Sequence, residues 1–291
     1  MFSGSIVALV TPMSSAGSVD FPALDRLIDR HIEAGTHAIV PVGTTGESAT
    51  LNVGEHLGVI EHVIERVAGR IPIIAGTGAN ATAEAIELTR EANARGADGC
   101  LLVTPYYNKP TQEGHFRHYV AVAEAVDVPL VLYNVPTRTG CDMLPETVGR
   151  LASIPQIVGV KEASGDVARV TAIRELCPDD FAILSGEDAC TFEMLKLGAR
   201  GVISVTANAA PALMSCFCSA FLEGDVEEAE AIDERLQPLH AMLFVESNPI
   251  PVKWALHELG LIDAGIRLPL TPLAEQFRQP LAALLRELEL Q

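Results

Sequence analysis

Eight short apolar runs, nearly continuous and rich in β-branched residues, recur at 6–10, 38–42, 71–75, 100–103, 130–133, 157–160, 181–184 and 202–205. A strand open to solvent on one side alternates apolar and polar residues, whereas a strand covered on both faces is apolar throughout. These runs therefore predict parallel strands with other layers on both sides. The intervals between them hold helical patterns with clear ends. Asp20 is placed to cap a helix with Pro22 in its first turn. Leu24, Leu27, Ile28 and Ile32 then form one stripe, which Gly35 closes. Leu57, Ile60, Ile64 and Val67 repeat the pattern before Gly69, and Gly96 and Gly198 stop later helices. Eight βα units fit either a closed (β/α)8 barrel or an open doubly wound sheet. Even spacing without a break between halves favours the α/β class TIM barrel. Beyond residue 224 the pattern is purely helical, at 225–245, 249–260 and 272–288. Residues 1–224 are thus expected to form the catalytic barrel and 225–291 a C-terminal helical region.

With 291 residues the chain can build a core that buries about 75% of its unfolded surface. Its 20 Lys+Arg against 38 Asp+Glu leave a formal charge of −18, which excludes the cationic surface that nucleic acid requires. No run approaches the roughly 18 apolar residues of a membrane span, so no membrane partner is expected. Residues 1–11 lack the basic start and long apolar centre of a signal segment. The six cysteines include no CxxC pair and read as reduced thiols. Cys216 and Cys218 would point to different sides of a helix. The expected location is cytoplasmic.

In such a barrel the chemistry gathers at the C-terminal ends of the strands. Those positions hold Thr11, Thr44, Thr45, Gly76 to Gly78, Thr104, Tyr106, Tyr107, Tyr133, Asn134, Lys161, Glu162, Gly186, Glu187 and Ser204 to Thr206. Hydroxyls and phenols dominate, and histidine is absent. Glu162 and Glu187 make no ligand set, so no metal is expected. Lysine is the informative residue, because only Lys109, Lys161, Lys196 and Lys253 occur. Lys196 fits a solvated helix face, Lys253 a structural place after Pro249-Ile-Pro251, and Lys109 a polar loop. Lys161 instead ends a buried run, with Gly159 on its own strand face leaving space beneath it. A lysine of ordinary pKa is neutral in about one molecule in a thousand near pH 7.4. Burial lowers such a pKa by up to about 3–5 units and frees an amine to attack a carbonyl. A Schiff base formed in this way turns a keto acid into an enamine nucleophile. The alternative, a buried structural lysine, needs a salt-bridge partner, and Glu162 belongs to the opposite face. Tyr133 ends the neighbouring strand and reads as a proton carrier, with Thr44 and a Tyr106 or Tyr107 phenol extending the relay. Backbone N–H groups around Gly43 to Gly46 suit a small carboxylate.

Other motifs compete. Gly76-Thr-Gly78-Ala-Asn-Ala81 has the form of a dinucleotide fingerprint between a strand and a helix. It lies in the third repeat, however, and Asp98, about twenty positions on, precedes a strand instead of ending one. It is the basis of a second class of reading, a nucleotide-dependent oxidoreductase. His115 and His118 share a helical face without carboxylates or thiols and are expected at the surface or an interface. The acidic stretch 223–230 reads as a solvated helix face. Neither Ser48 nor Ser185 sits in GxSxG.

Gly43-Thr-Thr-Gly-Glu-Ser48, Tyr133-Asn-Val-Pro-Thr-Arg-Thr-Gly140 and Gly159-Val-Lys-Glu-Ala163 resemble the signatures of the pyruvate-dependent class I aldolase family. The likeness extends over essentially the whole chain, 102–113 and 247–261 included. It implies a (β/α)8 barrel with a C-terminal helical region, and no cofactor beyond a covalent lysine Schiff base with pyruvate. Lys161 would capture pyruvate. Tyr133, Thr44 and Tyr107 would carry protons, Tyr107 reaching in from a neighbouring subunit. Thr45 and nearby backbone would hold the pyruvate carboxylate, while Gly186 and Ile203 match positions lining the pocket. Arg138 would grip the carboxylate of L-aspartate semialdehyde, since a planar guanidinium binds carboxylate in a bidentate fork. The implied reaction condenses these two substrates and cyclises the product, opening diaminopimelate and L-lysine biosynthesis. Siblings with the same lysine cleave sugar acids such as N-acetylneuraminate or keto-deoxy acids. Arg138 argues against them, because a neutral sugar offers no carboxylate there. The family forms homotetramers, as pairs of tight dimers. Ser48, Ala49, His56, Asn80, Glu84 and Tyr106 match the allosteric L-lysine pocket of sensitive members. Val53 stands where some of those carry histidine, so retained but weakened inhibition is expected.

Overall fold

The computed structural model describes residues 2–290, and every expected apolar run lies in or at a strand. The strands are β1 (Gly4–Ala8), β2 (Ala38–Val40), β3 (Ile74–Gly76), β4 (Gly99–Val103), β5 (Leu130–Asn134), β6 (Ile157–Glu162), β7 (Ala182–Ser185) and β8 (Gly201–Ser204). They form one eight-stranded sheet in the order β2-β1-β8-β7-β6-β5-β4-β3. The helices are α1 (Phe21–Glu33), α2 (Val53–Val67), α3 (Thr82–Ala94), α4 (Gln112–Ala123), α5 (Pro136–Thr139), α6 (Pro145–Leu151), α7 (Arg169–Leu176), α8 (Thr191–Lys196), α9 (Pro211–Glu223), α10 (Val226–Met242), α11 (Ile250–Glu258) and α12 (Glu275–Glu287). The architecture is a (β/α)8 TIM barrel followed by a helical C-terminal segment, not an open doubly wound sheet. We place the proposed boundary between 1–224 and 225–291 at Gly224, whose φ of 93° ends α9 before α10 begins.

Two compact units make up the described chain. The first is Pro72–Ile203 with Phe2 and Ser3, and the second is Gly4–Ile71 with the chain from Ser204 onward. In the first, β3 to β7 pair in parallel, and Leu130, Val131, Leu132, Val160, Ile183 and Leu184 are wholly buried. Each such side chain contributes about 1.5–3 kcal/mol of burial. This is why these runs are continuous and not alternating. β6 extends past its apolar run to include Lys161 and Glu162, so both side chains are held in strand register. In the second unit, the Asp20 carboxylate accepts from Ala23 N, as its sequence position indicates. Asn52 and Glu55 form a reciprocal capping box that starts α2 directly after the loop following β2.

One expectation is corrected. His115 and His118 are buried within the chain and do not lie at its surface. Their spacing puts them on the same face of α4 as Tyr119 and Val122, and that face is the packed one. Burial pushes the pKa of both imidazoles down, His118 to about 4, so they sit neutral in the core. On α9 Cys216 is exposed and Cys218 buried, the two sides that a CxC spacing implies.

Candidate active site

In the first unit the sheet register assembles the expected lysine and phenol. Tyr133 pairs with Lys161 and Lys161 with Leu184, while Asn134 pairs with Glu162 and Glu162 with Ser185. Strand alternation then puts Tyr133 and Lys161 on one face, with Asn134 and Glu162 on the other. Lys161 is only 5% exposed, and its Nζ stands over the Tyr133 ring, 4.3 Å from the centroid. Among the described residues no carboxylate forms an ion pair with it. An amine held against a phenol, without a counter-ion in contact, suits attack on a carbonyl with a proton carrier alongside.

Gly186 follows β7. A Cβ at this position would lie 2.6 Å from Ala163 Cβ and 3.0 Å from Lys161 Cε, so the absent side chain leaves the lysine its place. Gly159 acts differently from the sequence expectation. The space its Cβ would need is taken by Ala182, whose carbonyl oxygen is 2.5 Å away, so this glycine serves the close approach of β6 and β7. Ile203 is buried in β8. Glu187 is half-buried; burial holds its carboxyl above the ordinary range, against the opposing pull of the Lys161 and Arg138 cations.

The opposite strand face anchors the loop that carries Arg138. Asn134 Nδ2 donates to Asp142 Oδ1 at 2.9 Å and to Glu162 Oε2 at 3.2 Å, and Asn134 Oδ1 accepts from Met143 N at 3.0 Å. Arg169 pairs with Asp142. Glu162 accepts from Ser164 N at 2.7 Å, and burial raises its pKa. The chain between β5 and Met143, including α5 and Arg138, is thereby fastened at both ends. Thr139 O accepts from Tyr107 N at 3.2 Å, tying the Tyr107 segment to the same loop. Tyr107 itself is 89% exposed, with a left-handed φ of 72°.

In the second unit β2 leads into the loop carrying Thr44 and Thr45. Gly46 N donates to Gly43 O and Glu47 N to Thr44 O, both at 3.1 Å, so the segment is a tight turn. A Cβ on Gly46 would lie 2.9 Å from Val42 Cα and from Val42 N, which only glycine avoids. Thr44 is half-buried; Thr45 is buried, and its Oγ1 accepts from Asn248 Nδ2 at 2.9 Å. Ser48 and Ala49 start a 3-10 turn, and His56 is buried in α2, while Val53 is exposed. Asn80, Glu84 and Tyr106 belong to the first unit. There Asn80 Nδ2 donates to Tyr106 O at 3.3 Å, and burial, aided by the Glu84 charge, raises the Tyr106 phenol.

Two features have no local sequence signal. The Asp142–Arg169 pair lies outside the quoted signatures. Glu47 stands inside Gly-Thr-Thr-Gly-Glu-Ser but pairs with Lys253, 206 positions away. Among the described residues no group of three His, Cys, Asp or Glu could hold a metal ion. Nor, among them, is any helix long and apolar enough to cross a membrane.

A buried strand-end lysine packed on a phenol at the C-terminal end of a (β/α)8 barrel strand is a candidate nucleophile and proton-carrier pair. Residues 1–288 match the dihydrodipicolinate synthetase family. The chain is 64% identical over 287 residues to a 4-hydroxy-tetrahydrodipicolinate synthase from Methylococcus capsulatus, covering 99% of each chain. Among solved structures it superposes with TM-score 0.98 on a chloride-inhibited dihydrodipicolinate synthase from Acinetobacter baumannii complexed with pyruvate, at 56% identity and 100% coverage of both chains. A lysine-bound dihydrodipicolinate synthase from Cyanidioschyzon merolae gives TM-score 0.97 at 42% identity, with 100% of this chain and 99% of that one covered. The chain belongs to the dihydrodipicolinate synthetase family and is a lyase.

Proposed function

We propose that this chain condenses pyruvate with L-aspartate semialdehyde and cyclises the product, the first committed step of diaminopimelate and L-lysine biosynthesis. The observation that carries the reading is Lys161, buried in β6 with its Nζ 4.3 Å from the Tyr133 ring centroid. The amine lone pair adds to the keto carbon of pyruvate, and loss of water leaves an iminium on Nζ. Loss of a methyl proton then gives an enamine, whose carbon adds to the aldehyde. No separate cofactor or metal enters these steps; the covalent lysine Schiff base is the electron sink.

Each remaining residue has a proposed part. Tyr133, Thr44 and Tyr107 move protons. The 89% exposure of Tyr107 supports its reaching a neighbouring subunit of a homotetramer built as a dimer of dimers. Thr45 and adjoining backbone hold the pyruvate carboxylate, and Gly186 and Ile203 line the pocket. Arg138, on its fastened loop, grips the carboxylate of the aldehyde. That assignment, with the synthase names of the relatives, disfavours a sugar-acid lyase. Ser48, Ala49, His56, Asn80, Glu84 and Tyr106 form a proposed L-lysine effector site, and the proposed location is cytoplasmic. Sodium borohydride added with pyruvate is expected to fix an adduct on Lys161, and Lys161→Ala to lose both adduct and condensation. An adduct that survives Lys161→Ala would overturn the assignment.

A further inference from the structure

Lys253 has no part in the chemistry above, yet it is one of only four lysines and its side chain is 4% exposed. Its Nζ pairs with Glu47, whose side chain is fully buried, and donates to Thr11 O at 3.1 Å. The second Glu47 oxygen accepts from Arg267 N at 3.2 Å. Arg267 also donates to Thr50 O at 2.7 Å and pairs with Glu55 at the start of α2. Asn248 reaches Thr45 Oγ1, and Thr11 Oγ1 donates to Gly46 O at 2.7 Å. The loop after β2 is thus fastened from both ends and from its middle, chiefly by residues of the C-terminal segment.

Two physical facts give these bonds a purpose beyond stability. Desolvation cancels most of the attraction in a buried ion pair, so such a pair adds little net stability, whereas removing one partner leaves a charge buried alone. Val42 and Glu47, neither of them glycine, are held at φ of 49° and 57°, a backbone state that persists only where surroundings over-determine it. The strained turn between them is the one that presents Thr44 and Thr45.

We infer that Glu47 and Lys253 are positioning residues, a clamp by which the C-terminal segment holds the Thr44–Thr45 turn in the form that binds the keto-acid carboxylate. The inference rests on the proposed role of Thr45. The same turn carries Thr44, proposed to move protons, so loss of the clamp raises the pyruvate KM and lowers kcat with it, while a purely structural role would leave KM unmoved.

The test is steady-state kinetics with pyruvate varied, together with borohydride trapping against pyruvate concentration. Lys253→Met is expected to raise the pyruvate KM by about tenfold and to lower kcat at saturation by about threefold or more. Lys253→Arg, which keeps the charge, is expected to recover part of that loss. Because Lys253→Met leaves Glu47 buried and alone, the double variant Glu47→Gln/Lys253→Met is made alongside. It removes both charges, leaves no lone ion, and is expected to fold with KM still raised. A folded double variant with the parent KM would overturn the clamp, as would a fall in kcat without change in KM. Thr45→Val separates the two layers. A raised KM there with a normal double variant removes only the clamp. An unchanged KM in Thr45→Val would refute the carboxylate assignment, and the inference with it.

Discussion

Gly186→Ala tests the geometry of the reacting amine directly. The backbone at Gly186 is outside the left-handed region, so alanine is conformationally acceptable and only space opposes it. The new Cβ would stand 3.0 Å from Lys161 Cε and 2.6 Å from Ala163 Cβ. Carbon atoms pack at about 3.5–4.0 Å, so Lys161 must retreat by roughly 0.5–1 Å. Misplacement of a reacting group by about 1 Å costs about a hundredfold in rate. A fall in kcat/KM of between about ten and a hundredfold is expected, or about 1.4–2.7 kcal/mol of transition-state stabilisation. Over-packing lowers stability by a further 1–3 kcal/mol or so, which thermal melts would record separately. Gly58→Ala is the matched control: nothing lies within 4 Å of its added Cβ, and it sits in α2. That control should be neutral or slightly stabilising. A Gly186→Ala enzyme with the parent kcat/KM and the parent rate of adduct formation would refute the claim that Lys161 depends on this placement.

Acid sensitivity and feedback supply two further tests. Burial lowers His31 to about 3 and His118 to about 4, from an ordinary value of 6.5. Below pH 6.5 the unfolded chain therefore binds protons that the folded chain refuses, so this stability is complete above 6.5 and declines as pH falls toward 4. Between 6.5 and 5 the loss is about 2 kcal/mol for each histidine, at about 1.36 kcal/mol per pH unit. In urea melts at pH 7.5 and 5, His118→Gln should lose about 2 kcal/mol less than the parent, and an equal loss would refute the buried neutral state. Titrating the condensation with L-lysine is expected to slow it, at higher concentration than in a Val53→His variant. A rate indifferent to lysine would reduce His56, Asn80 and Glu84 to structural residues.

How much of the site was legible differs residue by residue. Lys161 stood out because a charged residue ending a continuous apolar run contradicts its surroundings, and lysine is scarce in the chain. Tyr133 was legible from its equivalent place in the adjacent repeat. For His115 and His118 the helical face could be read from spacing, but not which way it pointed. A neutral imidazole is compatible with either side; what decides is that this face of α4 packs on the sheet, where Tyr119 OH donates to Leu102 O of β4 at 3.2 Å. Gly159 was assigned to the wrong neighbour, because strand alternation locates its own face but says nothing of how closely β7 approaches.

Local order thus came from the sequence itself: eight apolar runs, their capped helices, the helical tail after residue 224, and a short list of strand-end residues. These follow from interactions between residues a few positions apart, where propensity and periodicity act. Tertiary structure alone decided that Tyr133 and Lys161 stand in register, that Asp142 and Arg169 fasten the Arg138 loop, and that Lys253 meets Glu47 across 206 positions. Contacts of that range are set by sheet register and by the desolvation of charges, and neither leaves a periodic trace along the chain.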